Sequence, residues 1–225
     1  MTLQPASDHS LLVSFGNEIS LAQHRRVHGL AQELFAHRAP FIRDLHPAYS
    51  SILVVFEPRL ATWQQVAAHV RELAQSVAEV SLPASRVVEI PVCYDEEFSL
   101  DLQDVAEHNQ LAREEVIALH TRGEYRVYFL GFTPGFAYLG GLSPRLFTPR
   151  LASPRKQVPA GSVAIGGQQA AVYPMCTPGG WRIIGRTPLP MFEAQKAEPA
   201  LLALGDEVRF ISISRAEFER AMARS

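Results

Sequence analysis

The sequence predicts a small α+β domain followed by an all-β domain, with a helical connector between them. Three observations carry this expectation. Over residues 1–92, apolar residues recur first at strand and then at helix spacing, in alternation. Residues 131–190 hold ten glycines and nine prolines, which cut that stretch into short β-rich runs suited to a barrel or sandwich. The 225 residues are 47% apolar and 20% charged, enough for two cores and too apolar for a disordered chain.

In the first domain, expected over 1–92, residues 11–15 form a short apolar strand. Ser20-Leu21-Ala22-Gln23 fits a capping box, and Val27, Leu30, Ala31, Leu34 and Phe35 follow at helical spacing. Strands are expected at 41–46 and 51–56. A second capping box, Thr62-Trp63-Gln64-Gln65, opens a helix with Trp63, Val66, Ala67, Val70 and Leu73 on its apolar face. Residues 86–92 close the series as a last strand, giving a split βαβ pattern. Residues 93–124 form the connector, two short amphipathic helices. Their outline resembles a helix-turn-helix, but Asp101, Asp104, Glu107, Glu114 and Glu115 would repel a phosphate backbone, so nucleic acid is excluded. The second domain, 125–225, has strands at 126–130, 163–165, 170–173, 181–184 and 207–213 and ends in a helix, 215–222.

Charge is unevenly spread. The net charge is −2, yet residues 125–192 contain no aspartate or glutamate and seven cations: Arg126, Arg145, Arg150, Arg155, Lys156, Arg182 and Arg186. All eight histidines lie at or before His120. Such a stretch suits a small anion but offers no general acid or base. Two cysteines, Cys93 and Cys176, make no disulfide framework or zinc set, and each reads as a buried structural thiol. His120 reads as a helix cap. No signal pattern or apolar run of membrane length is present, so a cytoplasmic protein without membrane contact is expected.

Three segments could carry function. In residues 130–141 small residues alternate with rings, so Phe132, Phe136 and Tyr138, with Pro134 between them, either line a groove for a flat ligand or plug a barrel end. Residues 148–163 carry Arg150, Arg155 and Lys156 on a proline-stiffened run, and Gly161-Ser162 adds amides and a hydroxyl. This run reads equally as an anion clamp or as solvated surface. Neutralising Arg150 or Arg155 is expected to weaken anion binding while folding survives. Pro178-Gly179-Gly180-Trp181 is a turn in which Gly179 or Gly180 is expected at positive φ, or else an ordinary hairpin. Arg186-Thr187 follows it as further anion-binding residues. Catalytic residues are not apparent. The domain is a binding module or half of a composite active site.

The runs Leu130-Gly131-Phe132-x-Pro134-Gly135-Phe136-x-Tyr138-Leu139-Gly140, Val158-Pro159-Ala160-Gly161-Ser162-Val163 and Pro178-Gly179-Gly180-Trp181-x-x-Ile184-Gly185-x-Thr187 resemble the allophanate hydrolase subunit 1 family. That family includes the B subunit of bacterial 5-oxoprolinase, which this sequence resembles most, and the KipI-type inhibitor of a sporulation histidine kinase. The resemblance implies a cyclophilin-like β-barrel for the second domain. It implies a partner, the carboxyltransferase-like C subunit of the allophanate hydrolase subunit 2 family, and a functional link to the A subunit of 5-oxoprolinase. It further implies ATP, with magnesium, in a site shared with the partner, and 5-oxoproline as the small anionic substrate opened to glutamate. No metal or prosthetic group is expected in this chain alone. The alternative it implies is a regulator that binds a sensor histidine kinase.

Overall fold

The computed structural model describes residues 1–18, 20–77 and 85–223. The chain divides into two compact units, Met1–Ala84 and Ser85–Ser225. In the first unit, β1 (Thr2–Ser7), β2 (Ser10–Ser14), β4 (Ser51–Phe56) and β3 (Ile42–Pro47) lie side by side in that order, each pair antiparallel. The helix α1 (Leu21–Ala36) packs on β3 and β4, α2 (Trp63–Val77) packs on β2, and the helices pack on each other. Both caps form. The Ser20 hydroxyl accepts from the Gln23 amide at 3.2 Å. The Thr62 amide donates to the Gln65 side chain at 2.8 Å, and the Gln65 amide donates back to Thr62 Oγ1 at 3.4 Å. Leu11, Val13, Ile52, Val54 and Phe56 alternate into the core opposite Val27, Leu30, Leu34, Val66 and Val70. Phe35, expected among them, is half exposed, and Trp63 is 38% exposed.

Two features depart from the split βαβ expectation. Thr2–Ser7 is an added edge strand, almost wholly exposed and interrupted by Pro5, so no apolar period announced it. The strand β5 (Val87–Val92), expected to finish the first domain, belongs to the second unit. It pairs in parallel with β13 (Glu207–Ser212), and Arg86 grips the Asp206 carboxylate through Nε and Nη2. The first domain therefore ends before residue 85, not at 92.

The second unit is a seven-stranded sheet curled into a nearly closed barrel. It uses β5, β6 (Tyr125–Leu130), β7 (Ala137–Gly140), β9 (Ser162–Gly166), β10 (Gln169–Val172), β12 (Arg182–Arg186) and β13, in the order β12-β9-β10-β7-β6-β13-β5. The two ends meet at one bridge: the Cys93 amide donates to the Arg186 carbonyl at 2.8 Å, and the Arg186 amide donates back at 2.9 Å. A two-stranded ribbon, β8 (Arg155–Val158) with β11 (Thr177–Gly179), stands apart from this sheet. β7, β8 and β11 were not expected, because glycine, proline and charge hide their period. The connector helices α3 (Leu102–Asn109) and α4 (Arg113–Thr121) formed as expected, and α3 packs on β12 while α4 packs on β13. Their Leu102, Val105, Ala106 and Val116 join the barrel interior with Leu139, Val163, Ile165, Val172 and Phe210. The last helix, α5 (Arg215–Met222), has a complete capping box at Ser214 and buries Phe218. No helix among the described residues is long and apolar enough to cross a membrane.

His120 is not a surface cap but a fully buried residue of α4. Its Nδ1 lies 2.7 Å from the Tyr94 hydroxyl, and its ring stacks on Phe210 at 4.3 Å. Burial pushes its pKa down to about 3, so the folded protein holds it neutral. An unfolded histidine titrates near 6.5. Above that pH neither state takes up the proton. As pH falls through 6.5 only the unfolded state does, until the folded value is reached. Stability should therefore drop by about 1.4 kcal/mol per pH unit from this group alone between roughly pH 6 and 3. Urea melts from pH 7 to 5 should show a slope shallower by one proton in His120→Gln than in the parent; equal slopes would contradict the assignment.

Candidate functional site

The barrel strands alternate, and the alternation sorts their side chains into two cores. Ala137, Leu139, Val163, Ile165, Ala170, Val172 and Ile184 point inward. Their neighbours Phe136, Ala164, Ala171, Tyr173, Trp181 and Ile183 form a second cluster, against which Tyr138 packs. This cluster lies on the outer face of the sheet, and Val158 of the β8–β11 ribbon covers part of it. The small side chains Ala164 and Ala171 leave room for the rings. Phe136 meets Tyr173 edge-on at 5.3 Å and Trp181 at 5.7 Å, and Trp181 meets Tyr138 at 5.8 Å. Tyr138 stacks on Phe129 at 4.3 Å. Thus the rings of residues 130–141 neither plug the barrel nor stand free: they floor an external face, with Phe132 exposed at its edge and Pro134 exposed beside it.

Arg150 lies over this floor, its guanidinium carbon 5.4 Å from the Trp181 ring centroid. It is exposed and has no ion-pair partner among the described residues. Burial pushes the Tyr173 phenol up, opposed by a hydrogen bond with the Trp181 backbone and by the charges of Arg150 and Arg155. Burial likewise raises Tyr138, and Arg150 again opposes it. Both phenols stay protonated at neutral pH and can donate hydrogen bonds. Phe136, Tyr173 and Trp181 are themselves buried, so the face presents to solvent the half-buried Tyr138 and the unpaired Arg150 guanidinium, a group that suits a carboxylate.

Arg155 does not belong to that set. Its two terminal nitrogens hold Asp101 at 2.9 and 2.8 Å, and Asp101 is only 2% exposed. Asp101 Oδ2 also accepts from the Ile183 amide at 2.7 Å, while the Asp101 amide donates to the Ile183 carbonyl at 2.7 Å. The stretch without carboxylates thus finds several of its partners in the acidic connector, while Arg126 pairs with Glu207 at 2.6 Å. Arg182 pairs with Asp104 at 2.7 Å, and Arg145 lies 3.8 Å from Glu115. Lys156 is exposed with no ion-pair partner among the described residues.

Gly161, Ser162, Arg186 and Thr187 do come together, but at the barrel seam rather than around a ligand. The Gly161 amide donates to the Tyr173 carbonyl at 2.7 Å, and its own carbonyl accepts from Thr187 at 2.9 Å. Its φ is +80, and a Cβ there would strike the Thr187 carbonyl, so the turn requires glycine. Ser162 and Thr187 are buried, and Arg186 Nε donates to the Ala160 carbonyl at 2.9 Å. These groups are already engaged by the fold.

The turn at 178–180 is also corrected. Neither Gly179 nor Gly180 has positive φ. Gly179 is small because the Tyr173 phenol packs on its Cα, where a Cβ would collide with the ring. Gly180, by contrast, has ordinary space around it. Pro178 is exposed, and Cys176, expected to be buried, is exposed beside the ribbon, whereas Cys93 is buried at the seam. Sequence reasoning missed Tyr173 and Asp101. Tyr173 could have been found, since it shares the period of Ala171 against Val172. Nothing local marks Asp101 among its acidic neighbours.

Two stability contrasts follow from this geometry. Arg155→Gln strands a buried carboxylate and should cost about 3 kcal/mol, whereas Arg150→Gln should stay within about 0.5 kcal/mol of the parent. Similarly, Gly179→Ala should cost roughly 1–3 kcal/mol, and Gly180→Ala should be near neutral. Urea denaturation of the four variants checks both; equal losses within either pair would contradict the site as described.

The sequence matches the family described as carboxyltransferase domain, subdomain C and D, over residues 1–202. The B subunit of 5-oxoprolinase from Bacillus subtilis (strain 168) is 42% identical over 96% of this chain and 94% of its own length. Its namesake in Escherichia coli O157:H7 is 44% identical over 86% and 87%, respectively. These matches bear out the resemblance read from the motifs. Among solved structures, the protein TTHA0988 superposes with a TM-score of 0.81 at 37% identity, over 91% of this chain but only 39% of that longer one.

Proposed function

The chain belongs to the carboxyltransferase domain family, subdomain C and D, and from that premise we propose that it is the B subunit of a 5-oxoprolinase, with a barrel of the cyclophilin-like class. The observation that supports this best is Arg150, an unpaired guanidinium over an aromatic floor. 5-Oxoproline is a small, nearly planar lactam with one carboxylate. In this reading its carboxylate meets Arg150 and its ring lies against the half-buried Tyr138 at the edge of the aromatic cluster.

The same face supplies no proton-transfer group suited to ring opening. The carboxylates nearest to it in these contacts, Asp101 and Asp104, are held by Arg155 and Arg182. Nor does this face offer magnesium a free carboxylate. Among the described residues no cluster of three metal-ligating side chains exists, and the Gly161 amide is already bonded within the fold. In our reading, ATP, its magnesium and the acid–base groups come from a carboxyltransferase-like C subunit that completes the site, and the A subunit of the enzyme takes the activated substrate on to glutamate. What this chain contributes is binding, orientation and the exclusion of water.

The experiment is reconstitution. The chain alone should hydrolyse neither ATP nor 5-oxoproline, and adding the carboxyltransferase-like partner should produce ATP hydrolysis stimulated by 5-oxoproline. Arg150→Gln in that complex should weaken substrate binding by roughly 1.5–3 kcal/mol, as for a lost hydrogen bond to a charged group, seen as a raised KM for 5-oxoproline. Turnover by the single chain, or an unchanged KM, would count against the reading.

A further inference from the structure

The loop between β6 and β7 holds an anomaly that substrate binding does not require. Phe132 has a φ of +68, a region that a bulky side chain rarely enters. The Thr133 amide donates to the Gly131 carbonyl at 2.8 Å, so Phe132 is the central residue of a γ-turn of the rarer, strained hand. The loop is fastened on both sides of it: the Gly131 amide donates to the Phe136 carbonyl at 3.0 Å, and the Phe136 amide donates to the Thr133 carbonyl at 3.0 Å. The strain does not serve to bury the ring. Phe132 is 61% exposed, the most exposed large apolar side chain among the described residues, and touches the floor only edge-on through Phe136 at 5.4 Å.

We propose that this γ-turn holds Phe132 out as the anchor by which the barrel docks the partner protein chain that completes its site, a proposal that rests on the composite-site reading above. A rigid aromatic held in place beforehand loses little freedom on binding, which is the character of an interface hot spot. The occupant is a folded chain presenting an apolar socket to the ring. A neighbouring chain also fits the comparison with TTHA0988, which carries on one polypeptide a length well beyond the 39% matched here. Phe132 continues the floor through Phe136 and Trp181 to Arg150, so a chain seated on it would roof the substrate face.

The test pairs affinity with stability. Phe132→Gly and Phe132→Ala are prepared in the full chain, and binding to the carboxyltransferase-like partner is measured by calorimetry. Both should bind roughly 30-fold more weakly or worse, the loss typical of a hot spot. Phe132→Gly should melt no lower than the parent, because glycine relieves the γ-turn. A residue with a merely structural role would give the reverse, a lower melting temperature and intact binding. Variants that bind within about threefold of a parent that does form the complex overturn the anchor and leave the composite-site reading standing. A parent that forms no complex overturns both. If the parent instead self-associates and the variants are monomeric, the occupant is a second copy and the proposal fails.

Discussion

The second unit depends on one buried carboxylate. Asp101 precedes α3, exchanges hydrogen bonds with Ile183 of β12 through both its backbone and its side chain, and fills the guanidinium fork of Arg155 at the start of β8. One residue thereby fixes the connector to an end strand of the sheet and ties the β8–β11 ribbon to both. The ribbon in turn carries Gly179 against Tyr173 and Val158 against the aromatic cluster. Were the carboxylate charged and unpaired at this depth, its desolvation would oppose folding strongly. The bidentate arginine and the Ile183 amide satisfy it instead.

This arrangement explains the lopsided charge of the sequence. Acids concentrate in the connector and cations in the barrel because the two segments fold against each other. Most of the cations neutralise the connector or brace loops, and Arg150, over Trp181, is left free of such pairing among the described residues. A basic segment in a sequence therefore does not translate directly into a basic surface. The functional reading narrows from a cluster of cations to a single guanidinium over an aromatic floor that carries no acid or base of its own.

Much of the fold was legible. Periodicity and caps located α1, α2 and α5, and the glycine–proline punctuation pointed to the barrel. What escaped was the exposed edge strand Thr2–Ser7 and, for the expected strand Val87–Val92, its partner: it pairs with Glu207–Ser212, over a hundred residues away, and so belongs to the second unit. The site was half legible for the same reason. Phe136, Tyr138 and Trp181 stand out as rings in a glycine-rich setting, but whether a cation is free depends on which carboxylate the fold brings to it. No local pattern separates Arg150 from Arg155; only Asp101, some fifty residues upstream, does so.

The account's central claim is that Arg155 belongs to the fold through Asp101. A double-mutant cycle on Asp101→Asn and Arg155→Gln, with stability measured by urea denaturation, tests it most directly. The account predicts that the two losses are strongly non-additive, with a coupling energy of at least about 1.5 kcal/mol. Additive losses, with coupling near zero, would show that the pair does not fasten the barrel and would return Arg155 to the ligand-binding face.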